Sequence, residues 1–375
     1  MIGERKMRIG MVEYNNLDAG GGTEVWVREV CRRLLRTHEI RVLTTDRSPR
    51  IATIKRELVA GGANVFEMRV IGKSSLPKMR GLANLYQLFR WSDAVYFTHS
   101  PGGLDLAVLA AHKLSGTPLV AGHHQPLNWR EFKGTLSHQQ RLYYAALGFR
   151  GVKLLRDLPF HHVLYSEAHT YLKRLSNKSI FQIPYGIEFS EYIPLPKDDT
   201  FTILFVGRLT AQKGADFLPF IFRELRRRLV KFRMFVVGEG EMRPELQRLM
   251  NDPSVEFIRY VEGEAKVNYF AKSHILLIPS RYEAFGLVGL EALASGTPVI
   301  SMNIPGPREY IRNGVNGFLC NDVHDMVSHV VDLFSNFDAS YITLQRNCRE
   351  SVAKFGWDRI APRIEDMLLQ VSNSR

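Results

Sequence analysis

The chain has 375 residues, of which 45% are apolar and 23% charged, the balance of an ordinary folded protein of about two domains. Disordered, collagenous and fibrous classes are excluded. No apolar run reaches the roughly 18 residues of a membrane span, and the opening MIGERKMRIG carries charge with no apolar stretch behind it, so it does not read as a secretory signal.

The net charge of +12 is uneven: residues 1–200 hold 28 basic and 18 acidic side chains, residues 201–375 hold 22 and 20. That excess predicts an anionic partner for the first half, whether nucleic acid, an acidic membrane surface or a phosphorylated substrate. The three cysteines, Cys31, Cys320 and Cys348, are far apart and form no CxxC pair. They predict packing residues in a reducing compartment rather than a disulfide framework or a zinc ribbon.

In chain order, Met7–Val12 reads as a short apolar strand, followed by a Gly-rich turn at Gly20–Gly22. Val27, Val30, Cys31 and Leu34 have helical spacing over Thr23–Arg36. Strand signals return at Ile40–Thr44, Ala94–Thr98, Leu119–Gly122 and His162–Ser166, with helical stretches between, notably Leu104–Leu114 and Leu136–Leu155. Ile193–Thr200 (IPLPKDDT) reads as a linker. The alternation then restarts with apolar strands at Phe201–Val206, Met234–Val237, Ile275–Ile278 and Pro298–Ser301. Such βαβ alternation predicts two α/β domains built on parallel sheets.

Three segments carry candidate chemistry. The turn Ala19–Glu24 brings backbone N–H groups and a helix N-terminus to one place, where an anion would be held. It is neither GxGxxG nor a Walker A loop, and a plain tight turn is the alternative. Val206–Leu209, with Lys213 just beyond, follows a buried strand. Arg208 and Lys213 at the carboxyl end of that strand suit a diphosphate, or form a merely solvated turn. In Pro279–Glu291, seven residues separate Glu283 from Glu291 between a strand and a helix. The two carboxylates could face one cleft and accept from sugar hydroxyls, or could be two surface glutamates flanking a helix start.

GGTE (21–24), VGRLTAQKG (206–214), VVGEG (236–240), PSRYEAFGLVGLEALASGTPVIS (279–301), GPREYIRNGVNGFLC (306–320) and FGWDRIAPRIEDML (355–368) together resemble family 4 of the retaining, GT-B-fold glycosyltransferases. The resemblance spans nearly the whole chain and is most specific over 201–320. It implies two Rossmann-like β/α/β domains facing a deep inter-domain cleft: an acceptor-binding domain over 1–190, a donor-binding domain over 191–355, and a helix over 356–375 crossing back to the first domain. It implies transfer of a hexosyl unit from a UDP- or GDP-sugar to a hydroxyl acceptor with retention, by front-face attack.

By the same resemblance, Arg208 and Lys213 stabilise the leaving diphosphate without a metal and Glu283 contacts the transferred sugar. Gly207, Gly238, Glu239 and Gly240 line the nucleotide pocket and Glu291 holds the ribose. Phe285, Gly286, Leu287 and Val288 give backbone contacts, and Gly21 and Gly22 complete the phosphate site. A histidine after the strand at 119–122 meets the sugar; of His123 and His124 the pattern favours His124, while His99 shapes the cleft. Where the family has an Asn-Gly-Val-Asp turn between domains, this chain has Tyr185-Gly186-Ile187-Glu188. No cofactor beyond the donor is implied.

Leu76–Trp91 and Ser137–Leu155 combine aromatic, aliphatic and basic residues at helical spacing. That is the pattern of an interfacial helix, and it fits a lipid-linked or glycan acceptor at an anionic membrane surface. The expected location is cytoplasmic, peripheral on the membrane face. The competing readings are a nucleotide-sugar epimerase of the same fold and a non-catalytic basic protein that binds nucleic acid or sugar nucleotides. The sequence has no helix-turn-helix, zinc or RNA-recognition signature, so no nucleic-acid partner is expected.

Overall fold

The computed structural model describes residues 6–14, 21–45, 53–68, 70–71, 76–99, 103–125, 127, 153–229, 231–337 and 341–374. They divide into two units. The first holds the described residues up to Gly186 and those from Asp358 onward; the second runs from Ile187 to Trp357.

In the first unit the strands are β1 (Arg8–Val12), β2 (Glu39–Thr45), β3 (Asn64–Met68), the short pair β4 (Val70–Ile71) and β5 (Leu76–Pro77), then β6 (Ala94–Thr98), β7 (Leu119–His123), β8 (Phe160–Val163) and β9 (Ser179–Gln182). Seven form one parallel sheet in the order β3-β2-β1-β6-β7-β8-β9. β6 and β7 are buried at every position, as central strands covered on both faces must be. The helix Gly22–Leu34 buries Trp26, Val27, Val30, Cys31 and Leu34, which realises the predicted spacing. The strand expected at His162–Ser166 lies earlier, at Phe160–Val163, and Ser166 opens a helix that runs to Leu175.

The second unit contains β10 (Thr202–Val206), β11 (Arg233–Val237), β12 (Val255–Ile258), β13 (Ile275–Ile278), β14 (Val299–Met302) and β15 (Gly317–Cys320). They make a parallel sheet in the order β12-β11-β10-β13-β14-β15. Its core gathers Ile203, Phe205, Leu218, Ile221, Met234 and Ile300 around helices Leu218–Arg228 and Val323–Ser335. The stretch read as a linker packs within this unit. Lys197 Nζ donates to Ala271 O at 2.9 Å and to Thr297 Oγ1 at 2.6 Å, and burial pushes its ammonium down to about 7.

The helix Trp357–Ser372 runs almost wholly within the first unit. There Glu365 Oε1 lies 2.7 Å from His38 Nε2, and Arg363 donates to Gln182 O. All three cysteines are free and buried, and burial raises each thiol above its usual range. No helix among the described residues is long and apolar enough to cross a membrane.

Both sheets share one topological device. In the second unit the chain leaves β10 toward β11 and β12, but leaves β13 the opposite way toward β14 and β15. The loops after β10 and β13 therefore diverge and open a crevice at the carboxyl ends of those strands. In the first unit the equivalent point lies between β1 and β6.

Candidate functional site

The crevice of the second unit is made by the two loops singled out in the sequence. After β10 the chain passes Gly207 and Arg208 into a short turn, Ala211–Lys213. After β13 it passes Ser280 and Glu283 into the helix Leu287–Ala294, entered through Gly286 at φ +83°. Lys213 Nζ lies 2.6 Å from Glu283 Oε1, which also accepts from Ser280 Oγ at 2.9 Å. Arg281 fastens the two loops together: it pairs with both carboxylate oxygens of Asp216 at 2.6 Å, donates to Ala211 O and stacks over Phe217. Arg208 is exposed, and among the described residues its guanidinium has no ion-pair partner within 4 Å.

Glu291, on the helix, is 7% exposed. Its Oε1 accepts from Tyr192 Oη at 2.8 Å and Lys266 Nζ at 2.6 Å. Its Oε2 is buried and has no hydrogen-bond partner among the described residues. A buried carboxylate oxygen left unbonded is costly unless a ligand hydroxyl completes it. Leu287 and Val288 begin the helix, whose first N–H groups lack intrahelical acceptors. Phe285 is buried against Tyr310 and Phe355, so its side chain is core while its backbone leads into the helix.

Gly238 closes the far side. Its φ is +142°, and a Cβ there would overlap Gly207 O, so only glycine lets these two turns touch. Arg243 donates to Gly238 O at 2.8 Å, and Leu209 N donates to Glu239 O at 2.9 Å. The Glu239 carboxylate is half-exposed, 3.8 Å from Arg243 and from Arg259. Gly207, Arg208, Lys213, Gly238, Glu239, Gly240, Glu283, Phe285–Val288 and Glu291 thus all belong to one unit, on the turns that follow β10, β11 and β13 and on the helix Leu287–Ala294.

The other residues singled out in the sequence lie in the first unit. Gly21 and Gly22 open the helix after β1, while Ala19 and Gly20 lie outside the described residues. The buried Glu24 carboxylate sits against Gly21 and brings negative charge to the turn expected to hold phosphate.

His123 ends β7 and His124 follows it. Around them the fold assembles a cluster no spacing rule announced. His123 lies 3.2 Å from His99 and 2.9 Å from His161, and His99 lies 3.7 Å from Asp105. His124 lies 2.8 Å from Tyr96 Oη and 3.0 Å from Tyr185 Oη. These four histidines and His162, five in all, belong to the first unit and are buried. Burial drives each toward its neutral form: His99 down to about 3, His161 and His162 to about 4, and His123 and His124 well below the usual value. Tyr192 and Lys266 were equally invisible in the sequence, because they reach Glu291 from positions 99 and 25 residues away.

Among the described residues one set, Cys320, Asp325 and His329, brings mixed ligand atoms within 4.8 Å of one another. Burial and the neighbouring Asp325 and Asp322 push the Cys320 thiol up to about 12, which opposes the thiolate a metal would require.

Residues 200–336 match the family model for glycosyl transferases group 1, and residues 20–158 match that for glycosyltransferase family 4. The chain is 34% identical over 175 residues to an uncharacterised glycosyltransferase of Methanocaldococcus jannaschii, a match covering 44% of each. It spans about half the length of the curated relatives it matches. Its fold superposes on sucrose-phosphate synthase from Thermosynechococcus elongatus with a TM-score of 0.80 and 18% identity, over 99% of this chain and 100% of that one. The Anabaena protein HepE, solved in complex with UDP and glucose, gives 0.76 and 17%, over 97% and 100%. The fold is the GT-B fold.

Proposed function

We propose that this glycosyltransferase-family chain moves a hexosyl unit from a UDP- or GDP-sugar to a hydroxyl of a glycan or lipid-linked acceptor, with retention at the anomeric carbon. The observation that carries this reading is the pair Glu283 and Glu291: two buried carboxylates at one crevice, each held by a lysine through Oε1 only. Glu291 Oε2 would accept from a ribose hydroxyl, and Glu283 from the sugar. Arg208 and Lys213 would take up the charge of the departing diphosphate. The bond from the anomeric carbon to the diphosphate oxygen breaks, the acceptor oxygen attacks the same face, and its proton passes to the leaving phosphate oxygen. His124 would contact the sugar. The UDP and glucose bound to the similarly folded HepE favour this class of donor.

Calorimetric titration with UDP, GDP and ADP, each free and sugar-linked, tests the donor. Binding of one set is the expected result, and a folded protein that binds none removes the proposal. In Glu291→Ala the affinity for the free nucleotide should fall roughly 10- to 100-fold, corresponding to about 1.5–3 kcal/mol for a charged hydrogen bond. Unchanged affinity would remove the ribose assignment.

A membrane-surface acceptor is favoured by the helix Met79–Trp91. Phe89, Leu85 and Leu88 are buried, while Met79, Leu82 and Tyr86 are 82, 39 and 40% exposed in a row. Lys78, Arg80 and Arg90 are exposed alongside. The companion stretch Ser137–Leu155 lies outside the described residues except for its last three. The chain should sediment with vesicles containing anionic lipid. Replacing Lys78 and Arg80 by alanine should weaken that binding about 30-fold, at about 1 kcal/mol per cation. Equal binding to zwitterionic vesicles would overturn this reading.

A further inference from the structure

The hydrogen bonds around His124 have a direction that the chemistry of their last member fixes. His162 Nε2 lies 2.7 Å from Ile183 O. A backbone carbonyl only accepts, so Nε2 carries the hydrogen. Burial keeps His162 neutral at neutral pH, so its Nδ1 is a bare acceptor. Tyr96 Oη, 2.6 Å away, therefore donates to it. Tyr96 has a single hydroxyl hydrogen, so its other bond, 2.8 Å to His124 Nε2, is one it accepts. His124 then carries its hydrogen on Nε2. Its Nδ1 accepts from Tyr185 Oη at 3.0 Å.

Every bond points the same way, from Tyr185 through His124, Tyr96 and His162 to the carbonyl. A carbonyl cannot pass a proton on, so the chain orients rather than conducts. The sequence makes room for it: a Cβ at Gly122 would overlap the Tyr96 hydroxyl. The Trp26 ring closes the other side, with centroids 4.9 Å from Tyr96 and 4.7 Å from His124.

We infer that Tyr96, His162 and the Ile183 carbonyl lock His124 as its Nε2–H tautomer, so that His124 offers a ligand one lone pair, at Nδ1, in exchange for the Tyr185 hydroxyl. Tyr96 and His162 are positioning residues, and Tyr185 is the group a ligand displaces. A neutral acceptor in that position selects a hydroxyl donor and disfavours a carboxylate or phosphate, which would place lone pair against lone pair. The sugar as that ligand rests on the role proposed for His124 above; the tautomer does not.

The test is a long-range proton–nitrogen correlation spectrum of the full chain labelled with ¹⁵N-histidine, with the His124 signals identified by their loss in His124→Asn. The wild type should show a protonated Nε2 and a bare Nδ1. In Tyr96→Phe the Nε2–H loses its acceptor, and the signals should move toward an average of both tautomers. The KM for the sugar nucleotide should rise about tenfold, the size of one lost hydrogen bond. In Tyr185→Phe the Nδ1 should stay bare. An Nδ1–H tautomer in the wild type, or a Tyr96→Phe spectrum with the wild-type pattern, overturns the lock. A confirmed lock with wild-type donor affinity and turnover in His124→Asn overturns the sugar contact alone.

Discussion

Lys213→Ala should lower turnover 100- to 1000-fold while leaving the protein folded. Lys213 is the cation that meets Glu283 at the crevice between β10 and β13. In the proposed transfer it stabilises charge that appears only as the diphosphate departs. Removing one such preorganised donor costs about 2.7–4 kcal/mol of transition-state stabilisation. The folded state loses less. Glu283 keeps its bond from Ser280, and Lys213 is 22% exposed, so water can reach the vacated place. A partner lost in this way costs about 1–3 kcal/mol. Against a stability of about 5–15 kcal/mol that leaves at most a few per cent of molecules unfolded, far short of the loss in rate. Release of nucleoside diphosphate from the sugar nucleotide, measured beside a urea melt, separates the two effects. Wild-type turnover in the variant would exclude Lys213 from the chemistry.

What the sequence disclosed follows the position of each strand in its sheet. The strands it revealed, including β1, β6, β7, β10, β13 and β14, lie inside the two sheets, where burial on both faces demands a continuous apolar run. The strands it did not reveal in the sheets are β3, β9, β12 and β15, and these are the four sheet edges. β3 buries only Met68 and β9 buries nothing completely, so neither has a run to recognise. β8 was displaced for a related reason. It carries His161 and His162, polar in sequence but wholly buried in the fold, and only their partners on distant strands explain why they are there.

The site divides in the same way. Arg208, Lys213, Glu283 and Glu291 are legible because each lies on the loop or helix that comes after a strong strand, β10 or β13. Lys266 and Tyr192, which hold Glu291, and Tyr96, which holds His124 from the legible strand β6, have no local signature for those contacts. Pairing through tertiary contact leaves no period in a sequence.

The buried histidines have a second consequence. The first unit should lose stability steeply as pH falls from about 6.5 toward 4.5. An unfolded histidine takes up a proton near 6.5, whereas the folded unit holds His161 and His162 neutral to about 4, His99 to about 3, and His123 and His124 below their usual value as well. Desolvation is the main cause in every case. Below 6.5 the unfolded state therefore binds more protons than the folded one, and each histidine costs about 1.4 kcal/mol per pH unit until its folded value is reached. Above 6.5 nothing is lost. Five such groups acting together would consume the 5–15 kcal/mol of a typical domain within one to two pH units. Carboxylates do not share this window. Burial raises Glu29, but the Arg33 hydrogen bond and the charges of Arg28, Arg32 and Arg33 outweigh it, so its contribution is lost only below 4.5. The second unit provides the internal control: among its described residues a single histidine, His274, is held down, to about 4. Urea melts between pH 7 and 4.5, followed by hydrogen exchange resolved to each unit, should show the first unit opening first on acidification. Equal pH sensitivity of the two units, or a flat response between 6.5 and 5, would mean that the histidine cluster already admits protons in the folded state.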